Sequence, residues 1–303
     1  MLARFQALPP VARGMLLMVV TTVCFTAMHT MARAMGEVLP PFEVAFFRNL
    51  FGLLALAPVF LRHGIAPLKT EKLRLHALRG AVQAGWMLAF FTGLTMIPLA
   101  DVTALAFSAP LFGSLLAVIL LGEVIRMRRV AALVVGFVGV LVVLRPGFEE
   151  VSAGALLIVA ASVAWGLTIT IIKVLAKTES SVTQTVYMGL FLTPITLVPA
   201  LFVWEWPEPV HYLWLIAIGI FGTLGHLAFA QAVKLADSTA VLPLDFLRLI
   251  WASLIGFFLF SEVPDALSWL GGAVIFVSAT YIAVRESRQA LSKQMPAASS
   301  DTR

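Results

Sequence analysis

Ten runs of roughly 18–24 mostly apolar residues divide the 303-residue sequence, at 14–35, 41–61, 77–97, 99–121, 128–145, 153–176, 182–203, 211–233, 239–260 and 266–285. A helix needs about 20 such residues to cross the hydrocarbon layer of a bilayer. The runs are too long for barrel strands and show no period-two alternation, so helices are expected. Charge, Pro or Gly fills the breaks, as in Arg126-Met127-Arg128-Arg129, Pro146-Gly147 and Glu262 to Asp265. With 60% hydrophobic and 12% charged residues, a chain of this size has too few polar groups to cover a soluble surface. Soluble enzymes, disordered tails and fibrous repeats are thereby excluded, leaving an all-α integral membrane protein with ten transmembrane helices.

Charge distribution sets the expected orientation. If residues 1–13 lie in the cytoplasm, 17 of the 21 Lys and Arg fall on the inner side. Arg33 and Arg145 fall at outer ends, while Arg48 and Arg248 lie within spans. Alternate loops then obey the positive-inside rule, with both termini cytoplasmic. The net charge of +5 is thus a signature of membrane orientation, and nucleic acid is not an expected partner. Residues 1–34 imitate a signal peptide, ending in Ala32-Arg33-Ala34, but the repeat described next argues for a retained helix. The polar stretch 287–303 is expected to be a disordered cytoplasmic tail. Cys24, the single cysteine, allows neither an internal disulfide nor a cysteine-based zinc site.

Shifting the chain against itself by 140 residues aligns Gly14 with Gly154, Leu16 with Leu156, Val19 with Val159, Val23 with Val163 and Thr30 with Thr170. Arg33 meets Lys173. Further along, Leu99-Ala100-Asp101-Val102-Thr103-Ala104 matches Leu235-Ala236-Asp237-Ser238-Thr239-Ala240 at five of six positions. The expected units are 14–147 and 148–286. Each holds five helices, an odd number, so similar halves must lie inverted across the bilayer. Inverted repeats are typical of secondary transporters, with the solute site near the midplane.

Arg48, Ala109-Pro110, Leu121-Gly122-Glu123 and their second-half echo Pro243-Leu244-Asp245-Phe246-Leu247-Arg248 and Phe260-Ser261-Glu262 resemble the drug/metabolite transporter superfamily, EamA type. The resemblance covers nearly everything from Gly14 to Arg285. It implies a ten-helix carrier of small organic metabolites in a bacterial inner membrane. The Asp-Phe-Leu-Arg segment looks like that of members assigned to uptake of S-adenosylmethionine or riboflavin, and the same fold serves amino-acid or drug export. The counterpart of Arg48 in the second half is Met188, so the halves differ there.

Ionisable groups inside a bilayer are costly unless they face a cavity or partner. Arg48, with only Glu43 near it on its helix, reads either as an anchor for a solute carboxylate or phosphate or as a structural arginine. Asp245 and Arg248 share a helix face. They form either a self-neutralising pair or a site for a solute cation or coupled proton. His29 is either a solute contact or a packing histidine. Gln83, Trp86 and Phe90 follow one face of the third span, and Trp165, Tyr187 and Trp251 sit mid-span. Where these aromatics converge on a cavity they suit a flat heterocycle. Glu123 and Glu262 end the fourth and ninth spans as gating carboxylates or as interface solvation. Gly136 and Gly139 suit close helix packing or a homodimer contact equally.

No Walker loop is present, so a solute gradient, exchange or proton coupling would have to drive transport. No cofactor or metal is expected. An intramembrane enzyme lacks its signatures: one interior aspartate, no His-Glu-x-x-His and no acidic magnesium cluster. A channel remains the third reading, distinguished by non-saturating flux.

Overall fold

The computed structural model describes residues 8–121, 127–146, 151–175, 178–236 and 241–294, and every regular element in them is a helix. In chain order these are α1 (Pro10–Met35), α2 (Pro41–Leu54), α3 (Ala57–His63), a 3-10 turn (Ala66–Leu68), α4 (Leu73–Leu94), α5 (Leu99–Ala106), α6 (Ala109–Leu121), α7 (Met127–Leu144), α8 (Ala153–Leu175), α9 (Ser181–Leu201), α10 (Pro209–Leu235), a second 3-10 turn (Leu242–Phe246), α11 (Leu247–Phe260) and α12 (Ala266–Gln294).

Eight stretches among the described residues are long and apolar enough to cross a membrane. The two expected spans outside that set are 41–61 and 77–97. The first is interrupted at Ala55 and Leu56 between α2 and α3 and carries Glu43, Arg48 and Asn49. The second is the 22-residue α4, whose hydropathy is lowered by Arg74, His76, Arg79 and Gln83. Among the described residues these less apolar helices hold six of the seven buried charged, amide or imidazole side chains, Glu43, Arg48, Asn49, His76, Arg79 and Gln83, so the shortfall marks where the interior is most polar.

Two other spans are broken. The fourth divides into α5 and α6 at Phe107 and Ser108, just ahead of Pro110. The ninth opens with a 3-10 turn around Pro243 before α11 begins. Pro194 and Pro199 lie within α9, which runs on past both. α12 runs on to Gln294, so the polar segment after Arg285 starts as helix rather than as the disordered tail expected from 287.

The most extensive helix packing joins an element before Arg145 to one after Val151, and it is reciprocal. α1 packs on α10 as α4 packs on α8; α2 packs on α10 as α4 packs on α9; α6 packs on α8 as α11 packs on α1. α2 with α9 and α7 with α12 complete the set. Small residues permit this closeness, because lipid tails supply no hydrophobic drive between helices and packing must. Gly136 lies against Leu111 and Ser278, and Gly139 against Ile275 and the Gly271 carbonyl. The α7 glycines are therefore consumed by α12 within the chain. Gly219, Gly222 and Gly225 let α10 settle between α2 and α1.

Gly113 and Gly166 meet backbone to backbone. A Cβ on Gly166 would stand 2.5 Å from the Gly113 nitrogen. We predict that Gly166→Ala costs about 1–3 kcal/mol by overpacking, seen as a lower unfolding midpoint in detergent. Gly85→Ala, where a Cβ meets nothing within 4 Å, should leave that midpoint unchanged or raise it.

Candidate functional site

Arg48 sits on α2 with 5% of its surface exposed. Its Nη1 donates to the Asn49 side-chain oxygen at 2.9 Å, and no carboxylate pairs with it among the described residues. Glu43 accepts from the Glu205 N–H at 2.5 Å instead of meeting Arg48. Asn49 also donates to the Met87 sulfur at 3.2 Å and to the Thr196 hydroxyl at 3.3 Å, tying α2 to α4 and α9. Gly222 leaves room for the guanidinium: a Cβ there would lie 3.2 Å from Arg48 Nε. A narrow cleft beside it is lined by Arg48, Asn49, Thr185, Met188, Thr223 and His226, among others, from α2, α9 and α10. Met188, the counterpart of Arg48 in the repeat, thus faces the same cleft.

An aromatic row crosses from α1 through α4 to α8. His29 packs against Phe90 at 4.9 Å between centroids, Phe90 against Trp86 at 5.7 Å, and Trp86 against Trp165 at 5.0 Å. His29 also lies within electrostatic reach of both Arg48 and Arg248. Gln83, one turn before Trp86, is fully buried, and among the described residues neither its amide nitrogen nor its oxygen has a hydrogen-bond partner. The Trp86 indole N–H is likewise unpaired among them. Unsatisfied polar atoms in an apolar interior are costly unless they serve a ligand or water.

The two helix breaks bring charge to the same interior. Arg248 Nη2 donates to Asp245 at 2.5 Å, and the guanidinium lies 5.1 Å over the Phe107 ring. Phe107 sits at the break between α5 and α6, and Asp245 within the 3-10 turn before α11. Cation–π contact in a desolvated setting contributes up to about 2 kcal/mol, which together with the ion pair offsets the cost of burying Arg248.

Other expected residues lie elsewhere. Trp251 donates to the Thr22 hydroxyl at 3.3 Å, joining α11 to α1. Tyr187 stacks on His76 at 4.6 Å and donates to the Leu68 carbonyl at 2.8 Å, at the end of the bundle where α4 and α9 begin. Glu262 is at the opposite end, ion-paired with Arg33. Glu123 lies outside the described residues. Asn49, Thr196, Thr223 and Phe107 were not singled out in the sequence, although Asn49, the sole asparagine in the chain, directly follows Arg48.

Two stretches, residues 12–145 and 152–284, match the EamA-like transporter family. The chain belongs to that family. It is similar to the S-adenosylmethionine uptake transporter of Rickettsia felis, 33% identical over 90% of this chain and 92% of the relative. It is also similar to the riboflavin transporter of Vibrio cholerae, 29% identical over 91% and 95%, and to the pseudopaline exporter of Pseudomonas aeruginosa, 28% identical over 88% and 94%. A solved crystal structure with 18% identity shares the fold, at a TM-score of 0.62 over 92% of this chain and 99% of the other. This EamA-like protein is therefore a multi-pass membrane transporter of small metabolites and not an enzyme.

Two predictions follow from the polar contacts of this transporter. Asn49→Leu should lower stability by about 1.5–3 kcal/mol, because a bond to a buried charge is lost; thermal unfolding in detergent reads this. The second concerns Asp265, which pairs with Arg145 outside the spans. Burial pushes the Asp265 carboxyl up, but the Ser268 N–H, the Arg145 guanidinium and the Ser268 hydroxyl outweigh it and hold the carboxyl below its ordinary value. A depressed folded-state pKa gives stability that is present above the unfolded value of about 3.9 and is lost as pH falls through the lower folded value. Asp265→Asn should therefore be less stable than the parent at neutral pH, and the difference should close below about pH 4.

Proposed function

We propose that this chain carries a heteroaromatic solute bearing a carboxylate or zwitterionic group by alternating access between two inverted five-helix halves. The observation that carries this reading is Arg48: a buried guanidinium, neutralised by no described carboxylate, at a cleft built from both halves. A solute carboxylate would complete it with paired hydrogen bonds. The row of His29, Phe90, Trp86 and Trp165 offers the solute ring a stacking surface. Gln83 offers an amide donor and acceptor for ring heteroatoms. Asp245, held by Arg248, is the carboxylate available to a solute cation or a coupled proton.

The reciprocal helix packing and the two successive family matches support the inverted-repeat reading. On it, ten spans divide near residues 147 and 148, both termini face the cytoplasm, and the inner bacterial membrane is the site of action. The names of the relatives favour S-adenosylmethionine or riboflavin as first solutes to test. S-adenosylmethionine fits better, since it joins a carboxylate to a heterocycle. Net direction follows the gradients, so export uses the same machinery.

Counterflow of labelled S-adenosylmethionine, riboflavin and amino acids into proteoliposomes tests this. Saturable counterflow of one solute is expected. Arg48→Ala should lower its kcat/KM roughly 10–100-fold, the equivalent of one charged hydrogen bond or more, with Arg48→Lys intermediate. Unchanged kinetics in Arg48→Ala, with normal expression, would remove the anchor role. Reporter fusions that placed the two chain ends on opposite sides of the membrane would remove the inverted repeat.

A further inference from the structure

We infer that the end of the bundle where α1 finishes carries a two-part ion-pair latch, Arg33–Glu262 and Arg145–Asp265, which holds the halves together there and must release before the central cleft opens to that face. This rests on the alternating-access reading. Both pairs join a residue before Pro146 to one after Val151.

Each pair is also locked into helix ends. One Glu262 oxygen pairs with Arg33, and the other accepts from the Leu99 N–H at 2.9 Å, at the start of α5. The residue preceding α5, Pro98, offers no side-chain cap, so a carboxylate from the other half fills that role. Arg33 in turn donates to the Ile97 carbonyl at 2.5 Å and covers the Phe260 ring at 4.9 Å. Both side chains are about one-seventh exposed, 13% and 14%, which makes the pair less screened than a surface bridge. Asp265 accepts from the Ser268 N–H at 2.7 Å and so caps α12 while it holds Arg145.

Two further features gather at this end of the bundle. Among the described residues, the two non-glycine residues with positive φ are Arg145 at 48° and Ser261 at 54°. One is a member of the latch, and the other immediately precedes Glu262. Backbone held in the left-handed region persists where surrounding contacts over-determine it, and such positions cluster in switch regions. Acidic groups of both halves also gather here: among the described residues, Asp101 on α5 lies within electrostatic reach of Asp265, Arg145 and Glu262. Removing either arginine leaves acidic groups of both halves facing each other at the seam.

The test is accessibility, which needs no knowledge of the solute. In full-length protein carrying Cys24→Ser, a reporter cysteine replaces Met188 in the cleft and is labelled with a membrane-impermeant maleimide from each face separately. Arg33→Gln with Arg145→Gln should raise labelling from the latch face about fivefold or more and lower it from the opposite face, because two access states exchange population. Arg33→Lys with Arg145→Lys should stay near the parent. Arg145→Gln alone serves if the double variant does not fold, and it should move labelling in the same direction. Labelling that ignores the arginines, or that rises equally from both faces, would overturn the latch while leaving the cleft. A reporter unreactive from both faces in every variant would overturn the cleft and the latch together.

Discussion

Burying a guanidinium within the thickness of a bilayer is the constraint around which this molecule is arranged. An arginine at the centre of a membrane helix costs about 2.5–3.5 kcal/mol on insertion scales. Among the described residues Arg48 bears that cost with one neutral hydrogen-bond partner, Asn49, which is itself held by Met87 and Thr196. The neighbouring helices accommodate it through absence: Gly222 on α10 supplies the space that any side chain would fill. A stabilising core would replace Arg48 with an apolar residue. Arg48 is nonetheless present, held in place by Asn49, with no carboxylate paired to it among the described residues.

Arg248 solves the same problem differently. It has a carboxylate three residues away and an aromatic ring under its plane. Both are delivered by interruptions of the helical backbone, at Phe107–Ser108 and at Leu242–Phe246. Irregular backbone inside a membrane survives only where protein or a cavity satisfies it. Here Ser108 and Ser162 both donate to the Leu105 carbonyl, at 2.6 and 3.3 Å, so one of the carbonyls near the first break is covered. The two breaks place Phe107 and Asp245 on either side of the Arg248 guanidinium.

Much of this was legible in the sequence because hydropathy and charge report directly on the bilayer. Arg48, Asp245 and Arg248 stood out as charges inside apolar runs, and Pro243 marked the break beside them. Gln83, Trp86 and Phe90 shared a face by helical spacing, and Trp86 and Phe90 pack edge to face in the structure. What spacing within one helix cannot show is which helix lies opposite. Trp251 faces Thr22, and Tyr187 faces Leu68 and His76, so neither stands in the aromatic row. Arg33 and Glu262 carried opposite charges at the same expected membrane face, but 229 residues separate them in the sequence. Only the packing of α1 against α11 joins them. The α7 glycines suited two partners equally; within the chain Gly136 lies against Leu111 of α6 and Ser278 of α12, and Gly139 against Ile275 of α12.

The repeat and the site pull in different directions, and the difference is informative. Reciprocal packing makes the halves near equivalents as scaffolds. Perfect equivalence would place two identical side chains at the cleft. Arg48 and Met188, which both line it, break that equivalence. One half presents charge and the other a soft, polarizable, apolar side chain that adapts to shape. Asp245 and Arg248 add a second asymmetry, since both belong to the second half. The cleft is therefore chemically one-sided although the helices around it pack in reciprocal pairs, and the side chains that differ between the halves, not the scaffold they share, set its polarity.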